Sequence, residues 1–165
     1  MSATRVYVFL PARRRFGLPP APLACAEVLD DSSAFGQRAA RRLREDVLAW
    51  LTTVDRRGTP QPIPVWFLWD GATSILVYSR PDKPKLRNIA ANPRVSLHLD
   101  GNGRGGDIVV CLGEACVSDD PPADEIPEYV EKYAPLIERN RWSTSSFAAD
   151  YSVPLRIEVT RIRGH

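Results

Sequence analysis

The strongest constraint in this chain is a hydrophobic rhythm of two that keeps restarting after short turns. "VLAWLTTVD" stops at the turn "RRGTP", and "QPIPVWFLWDG" runs on to Asp70-Gly71, a pair that signals a hairpin. "SILVYS" is the return strand, and "RVSLHLD" and "IVVCLGEACV" follow after one short helical interruption. Near the C-terminus Leu155, Ile157 and Val159 alternate with Arg156, Glu158 and Thr160, which gives a sixth strand one buried face. Successive strand residues point to opposite faces, so segments like these must cover one another's apolar sides. The expectation is a mainly β fold with some α: a six-stranded antiparallel barrel with flanking helices.

The flanking helices have their own signatures. From Phe35 to about Glu45, "FGQRAARRLRE" is rich in helix formers, and Asp31, Ser32 or Ser33 stands where a cap belongs. "PPADEIPEYVEKYAPLIERNR" returns to helical spacing, with Ile126, Tyr129, Val130 and Tyr133 on one face. Residues 1–34 differ from the rest. Their first part, "MSATRVYVFLPARRRFGLPPAPLACA", has no acidic residue, four prolines and the triplet Arg13–Arg15. Pro-rich sequence without periodicity rarely packs, so 1–34 is expected to be a disordered tail or the product of an early translation start, with the folded domain at 35–165. "VYVFL" is too short for the core of a signal peptide.

Charge and composition remove several function classes. A net charge of +2, without an interleaved patch of basic and aromatic residues, argues against nucleic acid as a partner. The longest apolar runs are far shorter than a membrane span. The three cysteines, Cys25, Cys111 and Cys116, lack paired spacing, which suits a reducing cytoplasm better than a disulfide framework. Cys111 and Cys116 fall on opposite faces of one strand, and the two histidines, His98 and His165, leave little material for a metal centre or a serine-type triad. Gly101 to Gly106 spells G-x-G-x-x-G, the dinucleotide fingerprint, but "DIVVCLGEACV" follows it where a helix is required. That loop reads as a connection between two strands.

One stretch conflicts with electrostatics. In "YSRPDKPKLRNIAANPRV" four cations, Arg80, Lys83, Lys85 and Arg87, crowd the start of a short helix, whose free N–H groups already carry partial positive charge. The later helix obeys the rule, with Asp124, Glu125 and Glu128 at its start and Arg139 and Arg141 at its end. Two readings fit the crowding: a solvated basic surface, or an anion site in which phosphate is the usual occupant. Lys85 and Asn88 share a helix face, as do Lys83 and Arg87. Upstream, Pro62 and Pro64 remove two N–H donors from the same edge of a strand. That edge is either protected against aggregation or opened as a slot for a planar ligand.

Taken in order, "TTVDRRGTPQPIPVWFLWDG", "ILVYSRPDKPKLRNIAANPRVSLHLDGNGRGGD" and "IVVCLGEACV" resemble the pyridoxamine 5′-phosphate oxidase-like split β-barrels. Within them the likeness is greatest to the actinobacterial branch that uses the deazaflavin F420, and it covers roughly residues 38 to 164. The resemblance implies a cofactor phosphate held by Ser79, Lys83 and Lys85, with Arg80, Arg87 and Asn88 as neighbours. It also implies a ring system lying along Gln61, Pro62, Ile63, Pro64 and Val65. It implies a homodimer with the cofactor at the subunit interface, where Arg104, in the 102–107 loop, reaches the partner's site. Pro64 stands where relatives often carry a hydrogen-bonding side chain, and Gly164-His165 closes the chain where an aromatic residue is common.

The implied activity is that of an F420H2-dependent reductase delivering a hydride to a small conjugated substrate, with no metal and no catalytic side chain identified. F420 ends in a phosphodiester and carboxylates, and Arg80, Arg87 and Arg104 suit that tail. An FMN-binding oxidase or reductase of the same fold is the alternative, as is a protein that binds F420 or flavin without turnover.

Overall fold

The computed structural model describes residues 28–30 and 32–165. The expected N-terminal tail and the candidate cap Asp31 therefore fall largely outside the described residues. Helix α1 spans Ala34–Glu45, and Ser33 caps it by accepting the Gly36 N–H. Strands β1 (Ala49–Val54), β2 (Pro60–Val65), β3 (Leu68–Trp69) and β4 (Ser74–Ser79) follow, then helix α2 (Pro84–Ala91). Next come β5 (Arg94–His98), β6 (Val109–Val117), helices α3 (Pro127–Arg139) and α4 (Thr144–Asp150), and the long β7 (Val153–Gly164). A single 3-10 turn, Ala123–Glu125, leads into α3.

All seven strands form one sheet in the order β2-β1-β5-β6-β7-β4-β3, and every pairing in it is antiparallel. The seventh strand corrects the expected six. "QPIPVWFLWDG" is not one strand but two, and they lie at opposite edges of the sheet: β2 pairs with β1, while β3 pairs with β4. The two-residue step Trp66-Phe67 carries the chain from one edge to the other, so the sheet curls until its edges meet in consecutive residues. This is the split barrel, with the split bridged covalently.

A jump between edges breaks both ladders and strands the backbone groups at the step. Tyr133 of α3 satisfies them. Its Oη accepts the Phe67 N–H at 2.7 Å and lies 2.8 Å from the Phe67 carbonyl and 3.1 Å from the Val47 carbonyl. A hydroxyl has one proton, so it donates to one carbonyl at a time. Lys132, beside it, places Nζ 4.1 Å from the Phe67 ring centroid and donates to the Leu43 carbonyl at 3.4 Å.

Two apolar clusters result. The first fills the barrel and takes in Leu43, Leu51, Phe67, Val77, Leu97, Val109 and Ile157. The second lies outside the sheet, where Leu76 and Tyr78 of β4 meet Tyr129, Tyr133, Ile137 and Phe147 of α3 and α4. β4 separates the two, which is why all six of its residues are buried although neighbouring strands alternate. The alternation in β6 buries Cys111 and leaves Cys116 exposed, on opposite faces as expected. A bulge at Leu112/Gly113 leaves Thr160 of β7 as the extra residue.

The hairpin at Asp70-Gly71 closes as expected, with Gly71 at φ +88° and Asp70 Oδ1 accepting the Ala72 and Ser74 N–H groups. The glycine-rich loop joins β5 to β6 and opens no helix. It is tied down through Asp107, which meets Arg38 at 3.0 Å and Arg42 at 3.3 Å. No helix among the described residues is long and apolar enough to cross a membrane.

Candidate functional site

Helix α2 begins as the sequence led one to expect. Lys83 is its N-cap, Pro84 takes the first turn, and the first turn contains no acidic residue. The amphipathic spacing turns Ile89 into the barrel core and buries Lys85 and Asn88 with it. Lys85 is 6% exposed, yet no carboxylate lies within ion-pair distance of it and no hydrogen bond holds it among the described residues. Burial lowers its pKa, the charge of Lys83 lowers it further, and the Asp82 carboxylate offsets part of the effect. Lys83 itself pairs only with the exposed Asp82, at 3.6 Å. A partly desolvated ammonium without an ion-pair partner is costly, and an anion seated beside it would offset the penalty.

Lys85 opens onto a cleft of about 360 Å³, a size typical of small-molecule sites. Arg80, Lys83 and Lys85 form its cationic end, and Ile63, Pro64 and Val65 of the edge strand form one side. Pro60, Pro62 and Pro64 occupy alternate positions of β2, whose other side pairs with β1. The prolines therefore leave the outer edge without donors at three positions. The rest of the lining is mostly aromatic, Trp66, Tyr78, Tyr129, Trp142, Phe147 and Tyr151, with Leu48 and Asn140 among them. Trp66, at the step between edges, stacks on Tyr133 with centroids 4.6 Å apart and planes within 4°. Phe147 lies 5.1 Å from Trp66 and 4.7 Å from Tyr151. One end can hold a phosphate and the other a flat ring system.

Six of the expected residues thus share one cleft: Ile63, Pro64, Val65, Arg80, Lys83 and Lys85. The others lie elsewhere. Gln61 and Pro62 are exposed on β2, with Gln61 Nε2 donating to Asp55 at 3.4 Å. Ser79 is fully buried, and its hydroxyl donates to the Arg80 carbonyl at 2.9 Å. Asn88 donates to Thr53 Oγ1 at 3.0 Å and, with Arg87, lines a second cleft that also contains Asp55, Arg56 and Arg57. Arg104 lies on the exposed loop before Asp107, and its own N–H is bound by Asn102.

The aromatic wall was missed by sequence reasoning, which read Tyr129 and Tyr133 as part of a packing face and assigned nothing between Arg141 and the last strand. The signals were present. Ser143 and Ser146 form a reciprocal capping box that starts α4, and five aromatic residues occur from Tyr129 to Tyr151 inclusive.

Comparison with known proteins places this arrangement. No curated protein sequence matches the chain. Among solved structures, a putative pyridoxamine 5′-phosphate oxidase from Listeria innocua is similar at 20% identity and TM-score 0.58, covering 77% of this chain and 94% of that one. An F420 reductase is similar at 25% identity and TM-score 0.55, covering 74% and 94%. HutZ, a haem storage protein from Vibrio cholerae, is similar at 16% identity and TM-score 0.53, covering 75% and 90%. The family model described as pyridoxamine 5′-phosphate oxidase matches residues 35–165. The chain is a member of the pyridoxamine 5′-phosphate oxidase family.

Proposed function

We propose that the cleft binds the anionic tail of a flavin-type coenzyme, and that the protein is an F420H2-dependent reductase of small conjugated substrates. In this reading it is a cytoplasmic homodimer of the actinobacterial branch, with the coenzyme at the subunit interface. The observation that carries the reading is Lys85: a lysine buried to 6% exposure, unpaired, and facing a cleft whose other end is aromatic. The residues fit such a group. Lys83 and Lys85 bind the phosphate, and Arg80, exposed at the rim, takes additional negative charge. The aromatic wall and the donor-poor edge of β2 hold a planar ring and exclude water around it.

When bound, the coenzyme supplies the hydride, and the chain's task is to orient donor and acceptor. Arg104 belongs to this reading only through the partner subunit, because its loop lies away from the cleft of its own chain. The similarity to an F420 reductase supports the deazaflavin over FMN.

The test is a pair of equilibrium titrations, with F420 and with FMN, on wild type and on Lys85→Ala. Tight F420 binding that falls at least about tenfold in the variant is expected, since a charge-assisted hydrogen bond contributes roughly 1.5–3 kcal/mol. Unchanged affinities would place the anion site elsewhere. A yellow protein that releases FMN would shift the coenzyme to FMN, and binding without turnover of enones, quinones or nitro compounds would make it a carrier.

A further inference from the structure

Tyr129 Oη has no hydrogen-bond partner among the described residues, but it is sealed from solvent and no ligand reaches it. Asn88 is different. It is 8% exposed, and one end of its amide is spent on Oγ1 of the fully buried Thr53, 3.0 Å away. The other end has no partner among the described residues, and Asn88 forms part of the second cleft, which measures about 350 Å³. Buried amides are nearly always satisfied, so a free end at a cleft calls for an explanation.

Most of that cleft is guanidinium. Arg56 and Arg57 come from the turn between β1 and β2, and Arg87 comes from α2, one residue before Asn88. None of the three has a carboxylate within ion-pair distance among the described residues. Asp55 is the one acid in the lining, and its own turn occupies it. Oδ1 accepts the Arg57 and Thr59 N–H groups at 2.8 and 2.9 Å, and Oδ2 accepts Gln61 Nε2 at 3.4 Å. Three guanidiniums against one carboxylate leave a surplus of two positive charges.

We infer that this cleft is a second ligand site, separate from that of the coenzyme, for a small multivalent oxyanion: a compound carrying two or three carboxylate or phosphate groups. Guanidinium forks match the paired oxygens of such groups. The surplus of two charges is what a dianion neutralises, and the volume suits a small organic anion. Asn88 completes the site. Turned so that Thr53 donates to Oδ1, its amide offers both Nδ2 hydrogens to the cleft, and a bound anion favours that turn. Lys85, three residues earlier on α2, lines the first cleft and not this one. The inference therefore does not depend on what the first cleft binds.

Calorimetric titrations of the full chain with citrate, pyrophosphate and acetate, at matched low ionic strength, test it. Citrate or pyrophosphate should bind at least about tenfold more tightly than acetate, and the double variant Arg57→Gln, Arg87→Gln should lose at least about tenfold of that affinity. Both arginines are exposed, so the urea midpoint of this variant should not move. Lys85→Ala should keep the affinity within about twofold, and the double variant should keep FMN affinity within about twofold. The tighter of the two multivalent probes tells carboxylate from phosphate, and either supports the site. No preference over acetate, an unchanged affinity in the double variant, an affinity lost in Lys85→Ala, or FMN binding lost with the arginines would each overturn the inference. If wild type binds neither FMN nor F420, the proposed function fails, while Lys85→Ala still reads the second cleft.

Discussion

Replacing Tyr133 with phenylalanine removes a single oxygen from the place where the barrel closes. The ring stays, and with it the stack on Trp66 at 4.6 Å. What goes is the acceptor of the Phe67 N–H and the donor to the Phe67 or Val47 carbonyl. The step between β2 and β3 offers no strand neighbour to replace them, and Phe67 is fully buried. A buried backbone donor left unsatisfied costs about 1–3 kcal/mol, and a lost bond to a carbonyl adds about 1 kcal/mol. The sum is about 2–4 kcal/mol. With an unfolding entropy of about 2.1 cal/mol/K per residue over about 140 residues, this lowers the thermal midpoint by about 7–14 °C. Urea unfolding followed by circular dichroism, with hydrogen exchange at the Phe67 amide, reads both the global and the local effect. A loss below about 1 kcal/mol would refute the reasoning and show that contacts flanking the step hold it closed. Tyr129→Phe is the internal control, since the same chemical change one turn earlier should not lower stability.

Lys85→Met keeps the length of the side chain and discards its charge. It should raise the unfolding midpoint of the ligand-free protein while weakening FMN or F420 at least about tenfold, which calorimetry and titration would read separately. Burial lowers the Lys132 pKa from 10.5 to about 8. Between about 8 and about 10 the unfolded chain binds more protons at this lysine than the folded one does, so stability rises with pH across that window. In Lys132→Met the rise should be smaller, as a series of melts at increasing pH would show. Gly113→Ala would bring a Cβ to 2.3 Å from the Glu158 carbonyl oxygen at the bulge, and about 1–3 kcal/mol of stability should be lost on urea titration.

The sequence carried the strands well because most are covered on one side, and one-sided burial writes a period of two. It pointed to the cationic end of the cleft, the proposed anion site, through a violation: cations at a helix start, against the dipole rule that α3 respects. Where it failed, the cause was local ambiguity. "QPIPVWFLWDG" is uninterrupted in apolar character, and nothing in that string shows that Trp66 leaves one edge and Leu68 joins another. Only Tyr133, 66 residues away, settles the break. Arg87 and Asn88 share α2 with Lys85, but the wall of the barrel sends them to a different cleft. The aromatic lining went unread because burial in a second core and exposure to a ligand favour the same residue types. Tyr133 serves the first and Tyr129 both.

Trp66 belongs to the wall of the cleft and Phe67, the next residue, to the latch of the sheet. Any evolutionary drift that reshapes this wall by moving its main chain tugs on the latch, so new specificities should arise by exchanging side chains on α3 and α4 and leave the 66–67 step alone. A lineage exploring other ligands would then keep its doorframe and rehang only the door.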